Sequence, residues 1–351
     1  MVGGGIIGLA TAWACTRRGL EVTLVSESRH GEASAAAAGM LAPTVEPLSG
    51  PALEFAIAGR ERYPEWLRDL ALRTGSPVEL NRSGILEIAH SASRADSLRA
   101  NASARLRWLD PDEAMALEPA LAPCLGGLLH PLDGAVDNVA LMGALQQLIA
   151  GEQRVGRVTG TVRGLDRPGS SSASVTLATG TRIRASHVVL AAGAWAPRIA
   201  GLPRLLPVEP ARGQMIALEA IALRHVVYCH DAYLVPRTDG RTLVGATMEY
   251  VGFDSATTPG ALARLHRAGA VIVPALAEAR IGAGWAGLRP MTPDALPIVG
   301  RDPDWPALIY ACGHSRNGIL MAPVTGESVA ALIAGDEAPA DLSAFSITRF
   351  G

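Results

Sequence analysis

Gly3-Gly4-Gly5-Ile6-Ile7-Gly8 carries the clearest fold signal in this chain, because it fits the G-x-G-x-x-G spacing. An apolar helix is predicted from Ile6 to about Arg18, ending at Gly19, and a strand over residues 21–25. This order is that of the first βαβ step of a Rossmann-type domain, in which glycines let the backbone approach a pyrophosphate and the helix N-terminus favours its charge. A glycine-rich turn without a ligand is the alternative. The candidate cofactor-binding residues here are Gly3, Gly5, Ile6, Ile7 and Gly8.

The strands on either side of this helix leave two questions open. Only Met1 and Val2 precede the glycines, so the first strand is expected to be short, or the native chain to start further upstream. The acidic residue that binds an adenosine ribose is expected just after the second strand, and counting places Ser26 there with Glu27 next. Glu27 is the preferred candidate, Ser26 stays a second one, and a solvated loop carboxylate is the alternative.

The size and composition predict a globular enzyme of two domains. The 351 residues are about twice the usual length of one domain. Apolar residues make up 49% of the chain and charged residues 18%, which excludes disorder over most of its length. The formal net charge is −2 and no run is rich in Lys or Arg, so neither nucleic acid nor a membrane surface is an expected partner.

Cysteine usage and the start of the chain favour a cytoplasmic protein. The cysteines are scattered, with no C-x-x-C pair and no histidine at metal-ligand spacing, so neither a metal site nor a disulfide framework is expected. No basic segment is followed by an apolar run and a cleavage site, and no stretch reaches the roughly 18 apolar residues of a membrane span. We therefore expect an untargeted protein in the cytoplasm.

Two further segments are expected to approach a flat cofactor ring. Residues 31–43 are almost all small, which suits a helix on propensity alone but also lets a backbone press against a ring. Residues 187–195 are predicted to form a buried parallel strand that ends in a tight turn at Ala191-Ala192-Gly193. Ligands of open α/β sheets bind beyond the carboxyl ends of such strands, so this turn is expected near the cofactor.

Three blocks in the last third of the chain complete the pattern. Residues 233–249 read as a hairpin of two apolar strands joined at Asp239-Gly240. Residues 285–300 include Trp-Ala-Gly-Leu-Arg-Pro, and residues 311–323 include a glycine-bounded Gly-His-Ser-Arg-Asn-Gly loop that leads into the C-terminal helix. Together with the segments above, these blocks resemble the D-amino-acid oxidase and glycine oxidase family of flavoproteins, over nearly the whole chain and in the same order.

The resemblance implies an FAD-dependent oxidase that converts glycine, and also sarcosine or small D-amino acids, to the imine or 2-oxo acid with release of hydrogen peroxide. It also implies a role in thiamine thiazole biosynthesis and a homotetramer. The expected partners are thus a small amine and oxygen. A related FAD dehydrogenase that passes electrons to a quinone or carrier protein stays open as an alternative, and so does a flavin-binding relic without turnover.

The arginines and the tyrosine of these blocks suit a zwitterionic substrate. A planar carboxylate accepts two parallel hydrogen bonds from a rigid guanidinium, where a lysine offers a point charge. The resemblance implies that Arg289 binds the substrate carboxylate, that Tyr233 adds a phenolic hydrogen bond, and that Arg316 faces the substrate. It implies that Met248 borders the same site. A purely structural role is the alternative for each of these residues.

The same resemblance implies which residues contact FAD. No general base is evident in the quoted blocks, which suits direct hydride transfer from substrate to flavin, and His314 is expected to pack rather than to act as a base. Related sarcosine oxidases attach flavin through a cysteine, whereas residues 288–294 contain none, so FAD is expected to be non-covalent. The further implied contacts are Ala33, Ser34, Ala38, Gly39, Met40, Val162, Gly193, Trp195, His314, Ser315, Arg316, Asn317, Gly318, Ile319 and Leu320.

The predicted fold class is α/β, with a second domain of the α+β type. A Rossmann-type FAD-binding domain is expected to take residues 1–79, 138–205 and 287–351. An interleaved substrate-binding domain, built on a mixed antiparallel sheet, is expected to take residues 80–137 and 206–286. The preferred amine depends on the volume of the pocket, which no single residue reports.

Overall fold

The computed structural model describes residues 1–169, 172–219, 223–229 and 231–351. In this part of the chain the α-helices are α1 (Ile6–Arg17), α2 (Ala33–Ala36), α3 (Gly50–Thr74), α4 (Ala92–Ala100), α5 (Pro111–Leu117), α6 (Asn138–Gly151), α7 (Pro259–Ile272) and α8 (Gly318–Ala334). Short 3-10 helices cover Gly193–Arg198, Pro274–Glu278, Ser343–Phe345 and Ile347–Phe350. The strands are β1 (Val22–Ser26), β2 (Met40–Leu41), β3 (Leu80–Asn81), β4 (Ile85–Ile88), β5 (Arg107–Leu109), β6 (Gly127–His130), β7 (Gly134–Val136), β8 (Val155–Thr159), β9 (Val162–Gly169), β10 (Ser172–Leu177), β11 (Arg182–Ala185), β12 (Val188–Leu190), β13 (Glu209–Glu219), β14 (Val226–Cys229), β15 (Ala232–Pro236), β16 (Arg241–Gly245), β17 (Ile281–Met291), β18 (Ile298–Arg301) and β19 (Leu308–Cys312).

The first sheet confirms the predicted Rossmann-type unit. The glycine loop leads into α1, and β1 then pairs in parallel with β8. Val2 takes the place of a strand before the glycines, because it bridges in parallel to Val25 on one side and to Leu190 on the other. β12 continues the sheet in parallel with β19, and β18 is antiparallel to β19. The carboxyl ends of β1 and β12 therefore lie next to the glycine loop.

Helices from distant parts of the sequence share one apolar core beside this sheet. α1, α3, α6 and α8 all contribute to it, and the ring of Trp13 in α1 lies 5.5 Å from that of Trp66 in α3, centre to centre. The aromatic residues of α3, including Tyr63 and Trp66, are buried as packing residues, as the helical periodicity predicts. This core holds α1 and α8, whose first turns both line the cavity described below.

The second sheet is mixed and mainly antiparallel, as predicted. Its order is β17-β13-β16-β15-β14-β4-β6-β5, with β14 and β4 forming a parallel pair. The predicted hairpin at Asp239-Gly240 is formed by β15 and β16. Because side chains alternate along a strand, Leu234 packs on Leu265 of α7 while its neighbour Tyr233 lies on the opposite face. That opposite face carries the cavity.

The run of small residues is mostly not helical. α2 covers a single turn of it, and the chain is then extended into β2. β2 and β3 both pair antiparallel with β7 in a small separate sheet. Pairing with a distant strand therefore replaces the helix that propensity alone favours. Helix propensities differ by only about a few tenths of a kcal/mol per residue, so tertiary contacts can outweigh them.

The described residues can be compared with the predicted domain limits and searched for a membrane span and a metal site. The predicted limit between residues 286 and 287 falls inside β17, whereas the limit at residue 138 coincides with the first residue of α6, and the domain limits stay a prediction. None of the helices in these ranges is both long and apolar enough to cross a membrane. Nor do the same residues hold a group of three or more His, Cys, Asp or Glu side chains that could bind a metal ion.

Candidate active site

A cavity of about 360 Å³ brings the predicted site residues together. Its size is usual for a ligand pocket, and residues of both large sheets line it. All candidate residues except Gly8 and Leu320 belong to this lining. Leu320 is buried in the helical core. A Cβ atom at Gly8 would lie 1.9 Å from the carbonyl oxygen of Gly3, so this glycine lets α1 pack closely against its own loop.

The glycine loop has the shape and charge of a pyrophosphate site. Gly3 has a φ of +109°, and a Cβ atom there would lie 2.3 Å from the carbonyl oxygen of Ala191, so no larger residue fits. Gly3 to Ile7 line the cavity, and the first turn of α1 holds no acidic residue. The N–H groups and partial positive charge of a helix N-terminus attract phosphate. The residues present therefore fit the pyrophosphate of a dinucleotide.

Both candidates for the ribose contact lie at this end of the cavity. Ser26 ends β1, and Glu27 follows it directly. The carboxylate of Glu27 accepts a hydrogen bond from the hydroxyl of Thr161, beside Val162, and lies 3.5 Å from Nη2 of Arg29. Its side chain is 48% exposed. The choice between Ser26 and Glu27 stays a prediction.

The Ala-Ala-Gly turn after β12 lies in the cavity wall. Gly193 begins a 3-10 helix there, and Trp195 lines the cavity two residues later. The guanidinium of Arg29 lies over the Trp195 ring, 5.7 Å from its centre, and the ring of Phe253 is also 5.7 Å away. Such a cation–π contact is worth about 0.5–1 kcal/mol when exposed, so both neighbours help to hold Trp195 in place.

Arg289 places a positive charge inside the cavity. It lies on β17 opposite Ala211 of β13, and its Nη1 donates a hydrogen bond to the carbonyl oxygen of Thr247 at 3.0 Å. Among the described residues no carboxylate lies within salt-bridge distance of it. Gly213, on the neighbouring strand, makes room for the guanidinium, since a Cβ atom there would lie 2.0 Å from Nη1. Sequence patterns gave no signal for Gly213, because the need for it arises from strand register.

Two tyrosines stand beside this arginine. Tyr228 of β14 is the register partner of Tyr233 of β15, and their rings are nearly parallel with centres 6.4 Å apart. Burial raises the pKa of Tyr233, and the neighbouring Arg289 offsets this only in part, so the phenol stays protonated and can donate a hydrogen bond. Tyr228 was not predicted as a site residue. The apolar run at residues 226–229 is a strand signal that, paired with the next strand, would have placed it here.

Arg316 forms an ion pair with a second residue that sequence patterns do not reveal. Its Nη2 contacts the carboxylate of Glu46, whose side chain is only 9% exposed. Burial raises the pKa of Glu46, against the opposing effect of Arg316. Glu46 is one acidic residue in a loop, so only the fold shows that it lines the cavity. Together with Arg289, the Arg316–Glu46 pair leaves this part of the cavity with one positive charge in excess.

The loop before α8 fastens Arg316 to the strand of Arg289. The N–H of Ser315 donates to the carbonyl oxygen of Pro290 at 3.0 Å, and that of Asn317 to the carbonyl oxygen of His314 at 2.8 Å. Gly318 and Ile319 then begin α8 in the same cavity wall. The two candidate methionines line the cavity as well, Met40 half-buried and Met248 42% exposed.

His314 is a buried, neutral residue. It is 2% exposed, and its Nε2 lies 3.1 Å from the hydroxyl of Thr325 in α8. Burial lowers the pKa of His314 to about 3. A ring that takes up a proton so reluctantly is a poor general base near neutral pH, which supports the packing role expected for it.

Replacing His314 with glutamine is expected to make the protein less sensitive to acid. The folded chain keeps this ring neutral down to about pH 3, whereas the unfolded chain protonates it below its ordinary pKa of 6.5. Between these values the unfolded state binds more protons, so stability falls as the pH falls, by ~1.4 kcal/mol per pH unit. The Tm measured from about pH 6.5 to 4 should therefore drop more steeply for the unchanged protein than for His314→Gln, and equal slopes would contradict this account.

Known proteins match the sequence and the fold of this chain. The model of the family described as FAD dependent oxidoreductase (DAO) matches residues 1–332. The chain belongs to this FAD dependent oxidoreductase family. The predicted family and fold class are thereby confirmed, and the cofactor is FAD. The glycine loop at the start of α1 fits the pyrophosphate of that cofactor, as its geometry indicates.

This FAD dependent oxidoreductase is similar over its whole length to several known proteins. It is 38% identical over 361 residues to the bifunctional protein ThiO/ThiG of Synechocystis sp., covering 100% of this chain and 53% of that protein. It is 34% identical over 363 residues to the glycine oxidase of Geobacillus kaustophilus, covering 99% and 96%. The crystal structure of glycine oxidase from Geobacillus kaustophilus gives a TM-score of 0.90 at 33% identity, covering 99% and 97%. The chain spans about half the length of its bifunctional relative.

Proposed function

We propose that this chain oxidises glycine, and related small amines that carry a carboxylate, to the imine while oxygen is reduced to hydrogen peroxide. Arg289 carries this proposal, because it is a guanidinium inside the FAD cavity with no carboxylate partner among the described residues. The similarity to the glycine oxidase of Geobacillus kaustophilus, over 96% of that protein, supports the same substrate class.

Arg289 and Tyr233 hold the substrate by its carboxylate. FAD supplies the acceptor for two electrons. The guanidinium of Arg289 forms charge-assisted hydrogen bonds with the carboxylate, and the Tyr233 phenol, kept protonated by burial, donates another. Donors on two strands fix the orientation of the substrate α-carbon, and correct orientation by itself lowers a reaction barrier. This account needs no general base among the side chains of the cavity.

The neighbouring residues Tyr228, Arg316 and Glu46 favour a small substrate without a second negative charge. Tyr228 stacks beside Tyr233, which narrows the site, and Arg316 is already paired with Glu46. A second carboxylate on the substrate therefore approaches the Glu46 carboxylate, and like charges in a buried site repel. Glycine, sarcosine and D-alanine suit this site better than D-glutamate does.

A peroxide-coupled assay of the FAD-saturated protein tests the proposal. Glycine, sarcosine, D-alanine and D-glutamate are compared, and the flavin absorbance is recorded with each. Peroxide from the first three and little from D-glutamate is the expected result. Bleaching without peroxide would assign a dehydrogenase with another electron acceptor, and no bleaching with any of these compounds would refute amine oxidation.

FAD is expected to be bound without a covalent link. Cys312 is the cysteine of the described cavity lining, and burial raises its pKa to about 12, so its reactive thiolate is scarce near neutral pH. Precipitation with acid should release the flavin into the supernatant. Flavin that stays with the precipitate, together with a protein mass increased by that of FAD, would show a covalent link instead.

The cellular setting belongs to the same proposal. We place the enzyme in the cytoplasm, which its scattered cysteines favour, and the family resemblance implies a role in thiamine thiazole biosynthesis and a homotetramer. Light scattering of the FAD-bound protein measures the oligomeric state: a mass four times the 36.4 kDa of the chain is expected, and the mass of one chain would contradict the tetramer.

A further inference from the structure

Arg237 lies between the eight-stranded sheet and the small-residue wall of the FAD cavity, which is formed by residues 33–39. It follows β15 directly, and burial lowers the pKa of its guanidinium. Its Nη2 donates to the carbonyl oxygen of Ala38 at 2.9 Å and to Oδ1 of Asn138 at 3.0 Å, and its Nη1 donates to the carbonyl oxygen of Val136 at 3.4 Å. These three partners are uncharged oxygens. The cation is therefore used to hold backbone and amide groups in place.

Asn138 extends this contact toward the glycine loop. Its side chain is buried at the start of α6, and its Nδ2 donates to the carbonyl oxygens of Ser34 at 3.0 Å and Ala35 at 3.2 Å. Because Arg237 donates to Oδ1, the amide is oriented with Nδ2 toward these carbonyls. The hydroxyl oxygen of Ser34 in turn accepts from the N–H of Ile6 at 3.0 Å. A hydrogen-bonded path thus runs from β15 to the first turn of α1.

Two further contacts hold the wall beside this path: Nε1 of Trp285 in β17 donates to the carbonyl oxygen of Ala36 at 3.0 Å, and the N–H of Val136 donates to that of Gly39 at 2.9 Å. α2 is a single turn of four residues, so its carbonyl oxygens find few partners within the helix. Its side chains are methyl groups and one hydroxyl, which offer little packing surface. Ala38 is buried, so losing the donor to its carbonyl oxygen costs free energy that water does not restore, whereas Ser34 is half-buried and Ala35 exposed. The donors of Arg237 and Asn138 therefore act together with Trp285 in fixing where this backbone lies.

We propose that Arg237 and Asn138 are positioning residues for FAD, which fix the backbone of Ser34–Ala38 in the cavity wall and so make tight FAD binding depend on the eight-stranded sheet. This role rests on FAD as the cofactor within the proposed function, and not on glycine as the substrate. FAD affinity and glycine turnover are separate measurements, so either can fail without the other.

The affinity for FAD tests these two residues. Arg237→Met removes the donors but keeps a side chain that fills space, and Asn138→Ala removes the amide. Each variant is expected to raise the Kd of FAD, measured by flavin fluorescence, by about tenfold or more. The double variant should lose little more than either alone, since both belong to one path. Arg241→Met, in the same hairpin with an exposed ion pair to Asp239, is the matched control and should keep the original Kd.

The Tm of the FAD-free protein separates positioning from a general loss of stability. It should fall by only a few degrees in the two variants, because a loss of about 1–2 kcal/mol of hydrogen bonding lowers the Tm of a chain of this size by roughly that much. A Kd within about twofold of the unchanged protein, with or without a lower Tm, would overturn the proposal. If Arg237→Met does not fold, Asn138→Ala carries the same test. Arg237→Lys keeps the charge but loses the planar fork, so its Kd for FAD should lie between those of the unchanged protein and Arg237→Met.

Discussion

Replacing Arg289 with methionine is expected to lower kcat/KM for glycine by about a hundredfold or more. Two hydrogen bonds between a guanidinium and a carboxylate contribute ~1.5–3 kcal/mol each, and every 1.4 kcal/mol is about tenfold in affinity or rate. The Tyr233 phenol remains and retains part of the binding. The loss should appear chiefly as a higher KM, because the carboxylate is bound in the ground state as well as in the transition state.

The flavin spectrum and a second variant control this experiment. Arg289→Met should bind FAD as the unchanged protein does, because the glycine loop lies elsewhere in the cavity. Arg289→Lys keeps the charge but not the planar fork, so its kcat/KM for glycine should lie between those of Arg289→Met and the unchanged protein. A kcat/KM for Arg289→Met within about threefold of the original value would remove Arg289 from substrate binding.

Adding one methyl group at Gly213 is expected to have the next largest effect. A Cβ atom there would lie 2.0 Å from Nη1 and 2.4 Å from Cζ of Arg289, so the guanidinium or the strand must shift. A misplacement of about 1 Å at a reacting site can cost a hundredfold in rate, and we expect kcat/KM to fall by about tenfold or more in Gly213→Ala. The measurement is steady-state kinetics with glycine at saturating FAD.

Gly156→Ala is the matched control for this change. Gly156 also lies in a strand, β8, and the nearest atom to a Cβ there is 3.9 Å away. Its kinetics should be unchanged. In the Arg289→Met background the Gly213→Ala change should add little, because the planar guanidinium that it displaces is gone. Equal kcat/KM values for Gly213→Ala and Gly156→Ala would mean that the observed position of Arg289 is not required.

Features that depend on neighbours in the sequence were predictable. The glycine loop and α1 follow from spacing and apolar periodicity over residues 3–18. The hairpin of β15 and β16 follows from two apolar strands around Asp239-Gly240. The family was predicted from the resemblance that these blocks carry, in the right order along the chain.

Features that depend on distant pairing were not predictable from one sequence. Gly213 is needed because β13 and β17 pair with Gly213 opposite Gly287, two residues from Arg289. Glu46 joins the site because the fold brings its loop to Arg316, 270 residues away. The small-residue wall is extended rather than helical because β7 pairs with β2, which no local propensity reports. In each case a long-range contact, absent from any local window, sets the structure.

Anaerobic titration of the FAD-bound protein with glycine tests the central claim most directly. The flavin absorbance should bleach in proportion to the glycine added, and it should return when air is admitted, with an equal amount of hydrogen peroxide formed. Flavin that stays oxidised in the presence of excess glycine, in a protein that holds FAD, would contradict the proposed glycine oxidase.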